Sequence, residues 1–76
     1  MEEHVLDVRG LDCPAPMLRA IDEVRRLRQA GVGSLIVIGD EAAAYESVQR
    51  VAVKLDCLAE AVSGSTAEWR LRLRLR

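Results

Sequence analysis

Two helices laid on one face of a four-stranded mixed sheet, in the order βαβαββ, is the α+β arrangement this sequence predicts, and three features predict it. The hydrophobic period switches along 76 residues with no Pro/Gly/Ser linker, low-complexity tract or internal repeat, so residues 1–76 read as a single domain, a two-layer α/β sandwich. Both helical stretches carry only one apolar stripe, which packs them side by side on the same side of the sheet. The final segment alternates apolar and charged residues strictly, as a strand with one wet face does.

Each element follows from its residues. Val5-Leu6-Asp7-Val8-Arg9 sets Leu6 and Val8 against Asp7 and Arg9, and Gly10 ends this first strand in a turn. Asp12-Cys13-Pro14-Ala15-Pro16 interrupts; proline fixes φ and lacks an N–H, so Cys13 is expected to be extended, with Pro14 or Pro16 opening a helix from about Pro16 to Ala30. Met17, Ala20, Ile21, Val24 and Leu27 form its inner stripe. Arg19/Glu23 and Asp22/Arg26 are expected i,i+4 pairs outside, and Gly31 is the stop. Ser34 to Gly39 is a β-branched run that suits a strand with neighbours on both sides. Asp40 or Glu41 can then cap a second helix to about Leu55, with Ala44, Val48, Val51, Ala52 and Leu55 inward. Cys57 to Val62 reads as a third strand, Ser63-Gly64-Ser65 as turn chemistry, and Glu68 to Arg76 as the second arm of a hairpin. Right-handed crossovers make the early strands parallel and the hairpin makes the last pair antiparallel; strand order is not visible in the pattern.

Size and charge exclude several functions. The chain's radius of gyration should be roughly 11 Å, which leaves little room for a ligand cavity of ~300 Å³; a self-sufficient enzyme with a deep site is disfavoured. Eleven basic against twelve acidic residues give a net charge of −1, so a general nucleic-acid coat is disfavoured and direct nucleic-acid binding is not expected. Charge is uneven, because the last eight residues hold four arginines and no acid, which suggests one positive surface. No apolar run approaches the ~18 residues of a membrane span, and Met-Glu-Glu-His is acidic where a secretion signal is basic, so the expected location is the cytoplasm. Cys13 and Cys57 fit no Cys-x-x-Cys spacing; a metal site and a disulfide framework are both unsupported, and free thiols are expected.

Cys13 is where position and reactivity coincide. It stands at the entry to a helix whose first N–H groups lack intrahelical partners and whose dipole favours an anion, so its thiol is expected to ionise more readily than a free one. Asp12 opposes this, whereas Arg9 and Arg19 favour it if they reach the sulfur. Pro14 and Pro16 stiffen the loop and lower the entropy lost when a partner engages. The single histidine, His4, lies elsewhere in the sequence, and no Cys/His/Asn set supports acyl chemistry. Thiol–persulfide exchange needs no such base, and the reading is carriage of sulfur without any cofactor.

Leu6-Asp7-x-x-Gly10-Leu11-x-Cys13-Pro14-x-Pro16, followed by an amphipathic helix, the strand Leu35 to Ile38 and the pair Asp40-Glu41, resembles the TusA/SirA-like sulfur-carrier family with its Cys-Pro-x-Pro motif. The resemblance spans nearly the whole chain. It implies a two-layer sandwich in which Cys13 accepts a persulfide from a cysteine desulfurase or rhodanese-type donor and relays it to a downstream acceptor protein in tRNA thiolation, molybdenum-cofactor or sulfur-oxidation pathways. The second half differs from the family's pattern: Ala42 stands where a proline often follows the acidic pair, Ser47-Val48-Gln49 where an Asp-Ile-Pro turn is common, and Cys57 lies beyond the usual second cysteine.

Each signal has a plainer reading. Cys13 without its prolines would be a small residue tolerated in a turn. Cys57 reads as a buried strand residue with no role. The row Arg70, Arg72, Arg74, Arg76 is most simply the solvated face of an edge-like strand. Its rival is a docking stripe of guanidiniums ~6.8 Å apart for an acidic protein or RNA backbone, which would make the chain a non-catalytic binding module. A third reading is a redox regulator switched by oxidation of Cys13. Trp69 belongs to the inward set, where its indole N–H needs an acceptor, and Asp40-Glu41 is read as a helix cap before an acid/base pair.

Overall fold

The computed structural model describes residues 4–12, 14–65 and 68–75, apart from the side chains of 63–65. Along the chain the elements are β1 (His4–Asp7), α1 (Ala15–Gln29), β2 (Ser34–Gly39), α2 (Ala42–Lys54), β3 (Leu58–Ser65) and β4 (Glu68–Arg74). The order βαβαββ and the mixed four-stranded sheet are those expected. Strands lie in the order β1-β2-β4-β3, with β1 parallel to β2 and β4 antiparallel to both its neighbours. The crossover through α2 therefore skips one place, and the hairpin folds β4 back into it.

Both interior strands alternate cleanly. Leu35 and Val37 of β2 pair in register with Leu73 and Leu71 of β4, all four fully buried beneath the helices. Ala20, Val24 and Leu27 of α1 and Val48 and Ala52 of α2 close the core from above. Burying a Leu or Val of this kind contributes ~1.5–3 kcal/mol against leaving it wet. On the opposite face Arg70, Arg72 and Arg74 stand beside Ile38, Ile36 and Ser34. β4 is thus an interior strand with one solvated side, so the expected edge-like placement is corrected; the strict alternation reports the wet face and is silent about the edge.

Helix ends follow their sequence signals with small shifts. α1 opens at Ala15, with Pro14 at its N-cap, one residue before the expected Pro16. It closes where Gly31, at φ +76°, lets the Val32 N–H reach Leu27 O (2.9 Å), a Schellman cap. The ion pair on its outer side is Glu23–Arg26, at 2.7 Å and i,i+3, in place of the expected i,i+4 partners. α2 closes in the same way around Asp56, at φ +61°, with the Cys57 N–H on Ala52 O (2.8 Å). Cys57 is therefore part of a helix stop and not of β3. At the start of α2 neither acid acts as a cap: Glu41 holds the N-cap position without a side-chain cap bond, and Asp40 turns elsewhere.

Candidate functional site

Because β1 and β2 run parallel, their C-terminal ends share one edge of the sheet, and the segments leaving them meet there. Crevices at such strand ends are where open α/β sheets bind their partners. Every amide from Val8 to Leu11 has an acceptor in this region. Val8 N–H donates to Ile38 O (2.8 Å), extending the parallel ladder, and Leu11 N–H returns to Val8 O (3.3 Å), closing a four-residue turn. Inside that turn Arg9 N–H donates to Asp7 Oδ1 (3.0 Å) and Gly10 N–H to both carboxylate oxygens of Asp40 (3.2 Å each). Gly10 sits at φ +78°, a conformation that a Cβ disfavours.

Arg9 ties the same turn to two strands. Its Nε and Nη2 hold both oxygens of Asp7 (2.9 and 2.7 Å), and its Nη1 reaches Glu68 at the start of β4 (3.0 Å). Hydrogen bonding to Arg9 holds the Asp7 carboxyl down at about 2, and the two carboxylates push the guanidinium pKa further up. The sequence left Arg9 free to reach toward residue 13; the structure has its nitrogens on Asp7 and Glu68. Arg19 is exposed, as are Asp12 and Pro14. Cys13 lies outside the described residues.

At the tip of α1 the prolines remove free N–H donors expected there. Pro14 and Pro16 carry no N–H. Ala15 donates to Asp12 O (2.9 Å), and Leu18 already makes the first helical bond, to Pro14 O (3.1 Å). Of the four leading positions only Met17 brings another N–H, so the tip offers potential more than a ring of donors. The first turn of α1 holds no acidic residue to offset that potential, and the acid nearest in sequence ahead of it is Asp12, which precedes the N-cap.

Cys57, by contrast, is a free thiol only 7 % exposed. Burial pushes its pKa up, with Arg28 opposing; the Arg28 Nη2 lies 3.6 Å from the sulfur and also donates to Leu55 O at the end of α2. A buried, protonated thiol is a poor nucleophile. In the arginine row, Arg70 pairs with Glu68 (3.4 Å) and Arg74 with Glu60 of β3 (2.5 Å), while Arg72 is half-buried between Ile36 and Glu60 in register. Trp69 finds the acceptor its burial requires, Glu41 O at 2.9 Å. Among the described residues no group of three or more His, Cys, Asp or Glu is placed to hold a metal ion, and no helix is long and apolar enough to cross a membrane.

Two contributors escaped the sequence reading: Asp40, holding Gly10, and Glu68, holding Arg9. A signal for Asp40 existed, because the first residue after a strand parallel to β1 must emerge beside the β1–α1 loop. Glu68 had none, since its approach depends on β4 lying next to β2.

Comparison with known proteins bears on the whole chain. A family model described as sulfurtransferase TusA matches residues 4–75. A SirA-like protein from Desulfitobacterium hafniense, known from a crystal structure, superposes with a TM-score of 0.81 at 20 % identity, covering 96 % of each chain; at that identity the likeness is one of fold. No curated protein matches significantly.

Proposed function

Since the chain belongs to the TusA sulfurtransferase family, we propose that residues 1–76 act as one sulfur-carrier domain in which Cys13 bears the persulfide. The family match over residues 4–75 carries this reading, and the Cys13-Pro14-x-Pro16 motif at the head of α1 gives it a residue. In the loading step the Cys13 thiolate attacks the terminal sulfur of a donor protein's persulfide. The donor's S–S bond breaks, its cysteine leaves as a thiolate, and Cys13 is left as the persulfide; no net oxidation occurs, so no reductant is needed. Unloading repeats the exchange on a downstream acceptor. The positive end of α1 favours the anionic sulfur in both steps, and the fully hydrogen-bonded Val8–Leu11 turn keeps the approach to it ordered. The donor is a cysteine desulfurase or rhodanese-type protein, and the exchange takes place in the cytoplasm.

Intact-mass analysis after incubation with a cysteine desulfurase and cysteine tests the proposal. The expected result is one added sulfur that maps to Cys13 and is absent from Cys13→Ser. Protein that gains no sulfur, or a Cys13→Ser variant that loads equally, ends it. Cys57, buried and with a raised pKa, should carry none.

A further inference from the structure

How the loop ahead of Cys13 is held bears on transfer itself, and the inference rests on the sulfur-carrier reading above. Three of the four amides of the Val8–Leu11 turn are satisfied by β1, β2 or the turn's own backbone and side chains. The fourth, Gly10 N–H, is the donor that a four-residue turn leaves pointing outward, and its acceptor comes from thirty residues away, from both oxygens of Asp40 at 3.2 Å. Asp40 is exposed and is not the N-cap of α2, a position that Glu41 occupies. Neither helix capping nor core packing explains a carboxylate there; its contact is with the turn.

We propose that Asp40 is a positioning residue for sulfur transfer between proteins, its carboxylate fixing Gly10 so that the segment leading to residue 13 is ordered before a partner docks. Hydrogen bonds to an ionised acceptor are stronger than neutral ones, and a loop already in its bound form loses less entropy on association. A small donor needs no such docking. Asp40 therefore matters for transfer from a protein and little for loading by inorganic polysulfide.

The test compares wild type, Asp40→Ala and Asp40→Asn as full-length proteins with both donors. For Asp40→Ala, kcat/KM with a cysteine desulfurase is expected to fall about tenfold, the loss of one modest hydrogen bond, while polysulfide loading stays within about twofold. Asp40→Asn keeps a neutral acceptor oxygen and should recover part of the protein-donor rate, falling between Asp40→Ala and the wild type. Gly10 amide exchange, read by NMR, should be slow in the wild type and faster in Asp40→Ala. Wild-type transfer by Asp40→Ala, equal losses toward both donors, no rescue by asparagine, or an unprotected Gly10 amide in the wild type each overturns the positioning role alone. A wild type that takes sulfur from neither donor overturns the carrier reading, and this inference with it.

Discussion

Asp7 illustrates how one side chain can serve the site without touching it. Its two oxygens take the Arg9 Nε, Nη2 and backbone N–H, and that pairing moves its pKa from the ordinary 3.8 to about 2. The folded form therefore binds protons more weakly than the unfolded one, so the stabilisation is complete above pH 3.8 and disappears as pH falls through about 2. Both partners are half exposed, which keeps the contribution small, but the midpoint itself is measurable. A carboxyl NMR titration should place Asp7 near 2 in the wild type and return it toward 3.8 in Arg9→Gln; an ordinary midpoint in the wild type would show that the pair does not form in solution. The composition makes Asp7 and Arg9 look like mere surface alternation, since a pattern that puts both on the wet face does not show that they bond to each other.

At the scale of elements, helix termini show what could and could not be read in advance. Gly31 announced the end of α1, because glycine enters the left-handed region without a steric penalty. The equivalent place in α2 is filled by Asp56 at φ +61°, so the sequence carries no such signal there, and β3 begins at Leu58, one residue after the expected Cys57. Asp56→Gly relieves the left-handed strain and removes a negative charge from the negative end of the helix dipole, at the cost of a more flexible unfolded chain. The net expectation is a gain of about 0.5–1 kcal/mol in urea unfolding; a loss would mean that the aspartate makes a compensating contact. Likewise, the prolines at 14 and 16 mark the start of α1, yet the same residues delete N–H donors there, and the Ala15 and Leu18 amides are already bonded to Asp12 and Pro14.

For the molecule as a whole, apolar periodicity located both helices, three of the strands and most of the core, because burial of one face imposes it directly. The third strand runs from Leu58 to Ser65, through the Ser63-Gly64-Ser65 stretch expected to be its turn, and pairs with Glu68 past a register shift. Strand order stayed hidden, since Leu71 and Leu73 would alternate identically at an edge or in the middle, and with it the meeting of Glu68 with Arg9. The same placement brings Trp69 of β4 opposite Gly39 of β2, where sheet and helices lock together. The indole donates to Glu41 O (2.9 Å) at the start of α2 and packs edge-to-face with Tyr45 at a centroid distance of 5.3 Å. A Cβ on Gly39 would overlap the Trp69 Cζ2, Cε2 and Cη2 atoms, and an indole fixed at both ends has no free direction in which to yield. Gly39→Ala is therefore expected to cost about 1–3 kcal/mol of global stability through overpacking. A double-mutant cycle isolates the cause: in a Trp69→Leu background the same glycine substitution should cost much less, because the colliding ring is gone. An equal penalty in both backgrounds would assign the glycine to β2 backbone conformation, and the Trp69 junction would lose its place as the point where the two layers are joined.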